Sequence, residues 1–250
     1  MTTLLTLFRK ELRAFFLNPF GWMVLAFVAA MQGLSMSTAM KALEDKPLTE
    51  DLVYIVFHTP AFWFYFLFIF PLITMRLFAE EERSGTLETL LTAPVRTWQV
   101  VLSKYLAALA FYTVLWIPAF LHFQLFAALT DIPAPFTGGS LLGGFLIIFL
   151  MGIFYIGVGC LASALTQSQI VAGIITLGLL VIHFFLGYVT TIWGDSMRSS
   201  AIFHYISCQE HLRYFTKGLV DTRPIIYNLS MGILLLILTH HVVDYRRWKR

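Results

Sequence analysis

From Ile132 to Gly194 the chain carries no Asp, Glu, Lys or Arg. A membrane helix needs about 20 apolar residues to cross a hydrocarbon layer about 30 Å thick. The run is therefore too long for one crossing and suits two, divided at the polar "TQSQ" of Thr166–Gln169. Phe20–Met40, Leu52–Met75, Tyr105–Thr130 and Pro224–Val243 are likewise free of formal charge. Only 12% of the 250 residues are charged, about half the share in a soluble domain. Inside lipid every backbone amide needs a partner within the protein, which leaves helices or closed barrels. The ten-residue alternating strands that a barrel requires are absent. These constraints predict an all-α polytopic membrane protein, a single domain over 1–250. Its six spans are expected at about 20–40, 54–78, 104–129, 138–165, 169–192 and 225–243.

Basic residues orient the bundle. With the N-terminus inside, the cytoplasmic side receives Arg9, Lys10, Arg13, Arg76, Arg83, Arg96, Lys104, Arg246, Arg247, Lys249 and Arg250. The outer side receives Lys41, Lys46, Arg198, Arg213, Lys217 and Arg223, which satisfies the positive-inside rule. Both termini are expected in the cytoplasm. The net charge of +3 belongs to this asymmetry, and no nucleic-acid partner is implied. In the first 18 residues Leu4, Leu5, Phe8, Leu12, Phe15 and Phe16 recur at helical spacing, with Thr6, Arg9, Lys10 and Arg13 elsewhere around the wheel. That pattern predicts an amphipathic helix along the inner surface, turned into span one at Asn18-Pro19. Apolar residues precede the charges, the reverse of a cleavable leader.

Motifs for catalysis are missing. No phosphate-binding Gly-x-x-x-x-Gly-Lys loop, Gly-x-Ser-x-Gly or His-Glu-x-x-His occurs. The histidines are scattered, and the adjacent His240 and His241 diverge by about 100° on a helix. Cys160 and Cys208 are expected at different depths, too far apart for a disulfide. Polar groups within spans (Gln32, His58, Arg76, His122, Gln124, His183 and His240) are costly in lipid, and interhelical hydrogen bonds are their expected role. "GVGCLASA" in span four supplies small residues for close helix packing. In the outer segment 193–224, Leu212, Phe215 and Leu219 are spaced as one buried face of a short helix. One or two short helices are expected, with Gly218 placed to end the first part and Arg223-Pro224 to open the last span.

The remaining oddity is "EEERSGTLETLLTAPV", Glu80–Val95. Three glutamates follow the end of span two, where they are expected to be solvated on the cytoplasmic side. Ser84-Gly85 lets the chain turn, Ser84 or Thr86 caps a new helix, and Glu88 suits its first turn. Leu87, Leu90 and Leu91 form one narrow apolar face, and Pro94 closes the segment. A helix of about two turns over 84–93 is not stable alone. Either the inner ends of the spans hold it or a partner protein does, and the acidic cluster favours a partner with a basic groove.

"PLITMRLFAEEERSGTLETLLTAPVRTWQVVLSKYLA" resembles the signature region of ABC-2 type transporter permeases, and most resembles their gliding-motility branch. The matching positions are Ile73–Arg76, Glu80–Glu82 and Gly85–Thr92, with His211, Phe215, Gly218, Asp221, Arg223 and Tyr227 before the last span. The resemblance implies that segment 84–93 is a coupling helix seated in a separate ABC-type ATPase subunit, which holds the ATP and Mg. This chain would then bind no cofactor and catalyse nothing itself. Glu80, Glu81, Glu82, Arg83, Gly85, Leu87, Glu88 and Leu91 are the expected coupling residues. Also implied are a second permease chain, identical or not, a bacterial inner-membrane location, and movement of a substrate, with export the favoured direction. Two other readings stay open. A mechanotransmission subunit would act on an extracytoplasmic partner through segment 193–224. An ATP-independent secondary transporter would need paired charges or broken helices near mid-membrane, which the sequence of the spans does not offer.

Overall fold

The computed structural model describes residues 2–44, 51–86, 95–129, 135–193 and 200–248. Every regular element among them is helical: α1 (Thr2–Leu17), α2 (Pro19–Glu44), α3 (Leu52–His58), α4 (Pro60–Thr74), α5 (Ala79–Arg83), α6 (Thr97–Leu115), α7 (Ile117–Leu129), α8 (Gly138–Leu165), α9 (Gln169–Trp193), α10 (Ser200–Ile206), α11 (Cys208–Thr216) and α12 (Thr222–Trp248). Six stretches are long and apolar enough to cross a membrane: α2, α4 through α5, α6 with α7, α8, α9 and α12. The chain is a multi-pass helical membrane protein.

Local chemistry sets the boundaries. Asn18 accepts the Phe20 amide at 3.0 Å, with Pro19 next in sequence, so α2 starts where the sequence places it. Span two does not run from residue 54. Thr59 takes extended backbone geometry and its hydroxyl accepts the Phe62 amide, with Pro60 at the first helical position. That cap separates α3 from α4, and Ser35 of α2 locks the break, its hydroxyl 2.7 Å from the Thr59 hydroxyl. Span three begins at Thr97, not Lys104, and bends at Trp116. Pro118 lacks the amide that would bond Val114, and the Trp116 amide turns to Thr113 in a tighter bond of 3.2 Å. The last helix runs past both expected ends, over Thr222–Trp248.

Helices α4 and α8 occupy the centre, while α9 and α12 keep most of their surface outward. Lipid tails are as apolar as leucine, so close packing and polar links between helices hold such a bundle. Both are present. Phe62 stacks on Phe66 at 5.1 Å, and Phe70 meets Tyr155 edge to face at 5.0 Å. From α6, the hydroxyls of Tyr105 and Tyr112 donate to the Ile153 and Ile148 carbonyls of α8, each at 2.8 Å. Gly152 makes room for the Tyr112 ring, since a Cβ there would collide with it. Within "GVGCLASA", Gly157 meets Leu235 of α12 and Gly159 lies against Thr74 of α4.

Helix α1 turns Leu4, Phe8, Leu12, Phe15 and Phe16 toward the bundle and leaves Arg9, Lys10 and Arg13 exposed. It packs along α6, with Phe15 stacked on Phe111 at 4.8 Å. Both cysteines are free and buried.

Candidate functional site

The acidic stretch begins at a chain reversal. After α4 the backbone turns through Met75–Phe78 into α5. One side chain from α8 holds that turn: the Ser163 hydroxyl accepts the Phe78 and Ala79 amides at 3.1 Å and donates to the Met75 carbonyl at 3.3 Å. Ser163 is fully buried. A hydroxyl with two acceptor lone pairs and one donor is fully used by this arrangement.

From α5 the three glutamates reach three different parts of the fold. Glu81 meets the Lys104 ammonium of α6 at 2.9 Å, and the same ammonium meets Glu11 of α1 at 3.2 Å. Lys104 is only 2% exposed and lies 5.6 Å over the Phe78 ring. Lys10 closes the group, 3.4 Å from Glu11 and 3.5 Å from Glu81. Burial opposes the Lys10 charge, but the two carboxylates outweigh it and hold its pKa above the usual lysine value. Glu82 pairs with Arg246 of α12 at 3.0 Å and accepts the Gln167 amide from the α8–α9 turn at 3.4 Å. Glu80 points to Arg76 at 3.8 Å. The Arg76 guanidinium lies 4.5 Å over the Phe20 ring and donates to Gln169 at 3.3 Å.

The sequence predicts three solvated glutamates, and the structure corrects this. Glu81 and Glu82 are enclosed, with side chains 18% and 9% exposed, and only Glu80 is half open at 52%. The physical reason is the turn at Met75–Phe78, which folds α5 back among the cations of α1, α6 and α12. Arg83 is exposed. Gly85 takes φ +69°, and the Ser84 amide bonds the Glu80 carbonyl at 3.0 Å. A left-handed residue here ends α5, as glycine does without strain. Ser84 thus closes α5, its hydroxyl donating to the Glu80 carbonyl at 2.9 Å. Leu87, Glu88 and Leu91, with the rest of the expected apolar face, lie outside the described residues.

At the other end, the sequence-selected residues of the outer segment divide. His211 and Phe215 are buried, and His211 bonds the Tyr205 carbonyl at 3.0 Å. Gly218 takes φ +77° and its amide bonds Phe215, while the Leu219 amide bonds Tyr214, each at 3.0 Å. This double bond pattern is a left-handed glycine cap. It also removes Leu219 from the helix, so the expected third member of the buried face is 60% exposed. Asp221 accepts the Arg223 amide at 3.0 Å, and Arg223 itself is exposed. Tyr227 bonds His183 of α9 at 3.1 Å, and His183 bonds Tyr155 of α8 at 2.9 Å. The His211 ring packs 5.6 Å from that of Tyr227. His211, Phe215 and Tyr227 therefore contribute to one outer assembly, with Asp221 and Arg223 at its edge.

Of the polar residues within spans, Gln32, Arg76 and His183 make interhelical bonds, Gln32 donating to the Leu115 carbonyl at 2.9 Å beside the break in span three. His58 instead bonds Tyr54 on its own helix at 2.8 Å. Sequence reasoning missed Glu11, Ser163 and the burial of Lys104. Two signals were available. Glu11 falls on the apolar stripe of α1, between Phe8 and Phe15. Lys104 stands inside an otherwise uncharged helix. Among the described residues no group of three His, Cys, Asp or Glu is arranged to hold a metal ion.

The family model for "ABC-2 family transporter protein" matches residues 1–243. The chain belongs to the ABC-2 transporter family. A search of curated proteins finds no significant match. Members of the ABC-2 family are membrane components of transporters that work with an ABC ATPase subunit. In this ABC-2 chain α5, which follows span two, is tied to α1, α6, α8 and α12.

Proposed function

We propose that this ABC-2 chain receives the work of ATP hydrolysis at the segment following Gly85 and passes it into the membrane bundle through α5. One observation carries this reading: Glu81 and Glu82 join the segment's origin to α1, α6, α12 and the α8–α9 turn. Buried pairs hold geometry because breaking one leaves a charge without its partner. A displacement of α5 is then delivered to several helices together. The exposed Arg83 and Thr86, with 87–93 beyond them, are the face offered to the ATPase, which supplies ATP and Mg. Glu81 and Glu82 act inside the permease. The resemblance to the gliding-motility branch supports a complex of two permease chains and two ATPase subunits in the bacterial inner membrane, with both termini cytoplasmic. It also favours export.

The test is cross-linking in the native complex. Thr86→Cys should form a cross-link with a co-purifying ABC ATPase whose ATP hydrolysis is vanadate-sensitive, and Thr113→Cys, exposed within span three, should not. A chain purified from native membranes without any ATPase would sink the proposal. A mechanotransmission role is the second reading, supported by the outer assembly of His211, Phe215 and Tyr227. It predicts an extracytoplasmic partner in the same preparation.

A further inference from the structure

A cavity of about 230 Å³ opens between α1, α2, α4, α5 and α6. Its apolar floor is made by Phe15, Phe20, Leu72, Ile73 and Leu77. Its rim carries Lys10, Arg76 and Lys104 against Glu11, Glu80 and Glu81, so the formal charges balance. An apolar floor beneath a charged rim at the end of spanning helices has the polarity profile of one membrane leaflet.

The rim is not equally satisfied. Lys104 is enclosed between two carboxylates at 2.9 and 3.2 Å. Lys10 is open but bridges Glu11 and Glu81 at 3.4 and 3.5 Å, whereas Arg76 and Glu80 meet only at 3.8 Å, well beyond the 2.7–2.9 Å of a charge-assisted hydrogen bond. Among the described residues, the polar contacts of Arg76 are made through Nε alone, to Gln169 and Glu80. Arg76 lines the cavity, and among the described residues its two terminal amino groups make no hydrogen bond. The guanidinium is held in place by the Phe20 ring at 4.5 Å. A fixed donor fork beside an under-bonded carboxylate complements a group that carries an anion and a primary ammonium a few ångströms apart.

We propose that this cavity binds an ethanolamine phospholipid. The phosphodiester accepts from the Arg76 terminal amino groups, the ammonium donates to Glu80, and the start of one acyl chain lies over Phe15 and Phe20. One long ion pair is replaced by two short ones. The balanced rim selects a zwitterion over an anionic lipid, and three ammonium N–H donors select ethanolamine over choline, which has none. The lipid wedges α1 against the α4–α5 reversal, at the origin of the segment already described. Its binding requires no ATPase, so the site and the transport reading can fail separately.

The experiment is native mass spectrometry of the full chain released from nanodiscs of equal phosphatidylethanolamine, phosphatidylcholine and phosphatidylglycerol. Retained ethanolamine lipid should exceed each of the others by about threefold, the discrimination that one partly exposed ion pair provides. Arg76→Gln should lower retention of that lipid to the level of the others. Glu80→Gln should keep phospholipid bound but abolish the preference for ethanolamine over choline. Arg13→Gln, on the exposed face of α1, should change nothing. Soluble glycerophosphoethanolamine should not displace the lipid, because it lacks the chain. Retention in the bulk ratio, enrichment of phosphatidylglycerol, or displacement by the soluble headgroup would overturn the assignment. If Arg76→Gln does not insert, the Glu80→Gln result decides alone.

Discussion

Replacing Lys104 with methionine keeps the length of the side chain and removes its charge from a site only 2% exposed. The ammonium lies 2.9 Å from Glu81 and 3.2 Å from Glu11. Without it, two carboxylates from different helices are left beside an apolar side chain. One Glu81 oxygen is already buried without a hydrogen-bond partner among the described residues, so the loss falls on the other. Removing one member of a buried pair costs about 3–5 kcal/mol. Lys10 remains within 3.5 Å of both acids, which places the expected loss near the low end, about 3 kcal/mol. The double variant Lys104→Met with Glu81→Gln removes both charges, and should recover about 2 kcal/mol of the summed single losses. Equilibrium unfolding in mixed detergent–dodecyl sulfate micelles measures all three variants and the parent. A loss under about 1 kcal/mol for Lys104→Met, the range of an exposed pair, would refute the buried junction. Simple additivity in the double variant would refute the direct link between α5 and α6.

Ser163→Ala deprives two buried amides and a carbonyl of their partner, at about 1–3 kcal/mol for groups left unsatisfied. Amide hydrogen exchange over 75–83 should rise well above that of neighbouring spans. Gly143→Ala would drive a Cβ into the Phe215 carbonyl oxygen, which belongs to backbone and cannot rotate aside. A destabilisation of about 1–3 kcal/mol is expected, read in the same micelle assay, with faster exchange confined to α11. His211 gives a pH dependence. Burial pushes its pKa down to about 4, opposed by the hydrogen bond to the Tyr205 carbonyl and by the charge of Asp221. The opened segment, with an ordinary value of 6.5, binds a proton that the closed segment refuses. Protection of α11 should therefore be constant above about pH 6.5 and fall as pH drops toward 4, by up to about 3 kcal/mol. His211→Gln should flatten that profile.

Charge-free run lengths carried most of the fold. The limits of α8 and the start of α9 follow from where polarity returns, and Asn18-Pro19 marks the start of α2. The break at Thr59 was legible too, as a capping threonine followed by proline, but a long apolar run hides a cap unless the cap is looked for. The bend at Trp116 has a similar signal in Pro118. Partnership was much less legible. Nothing near Lys104 in sequence indicates Glu11, and the pairs Glu82–Arg246 and Ser163–Phe78 join residues far apart in the chain. Long-range pairing depends on how the helices pack, and composition and periodicity do not encode it locally. The glutamates were found because three charges in an apolar chain stand out. Their inward direction follows from a turn that the sequence marks only weakly.

Glu81 and Glu82 are anchored inside the permease, so the ATPase should be met by the chain just beyond them. The most direct measurement is disulfide-range cross-linking from Thr86→Cys in the purified native complex, scored against vanadate-sensitive ATP hydrolysis. The expected result is a cross-link to the ABC ATPase subunit that forms in high yield and alters hydrolysis. An active complex in which Thr86→Cys never reaches the ATPase would contradict energy entry at this segment.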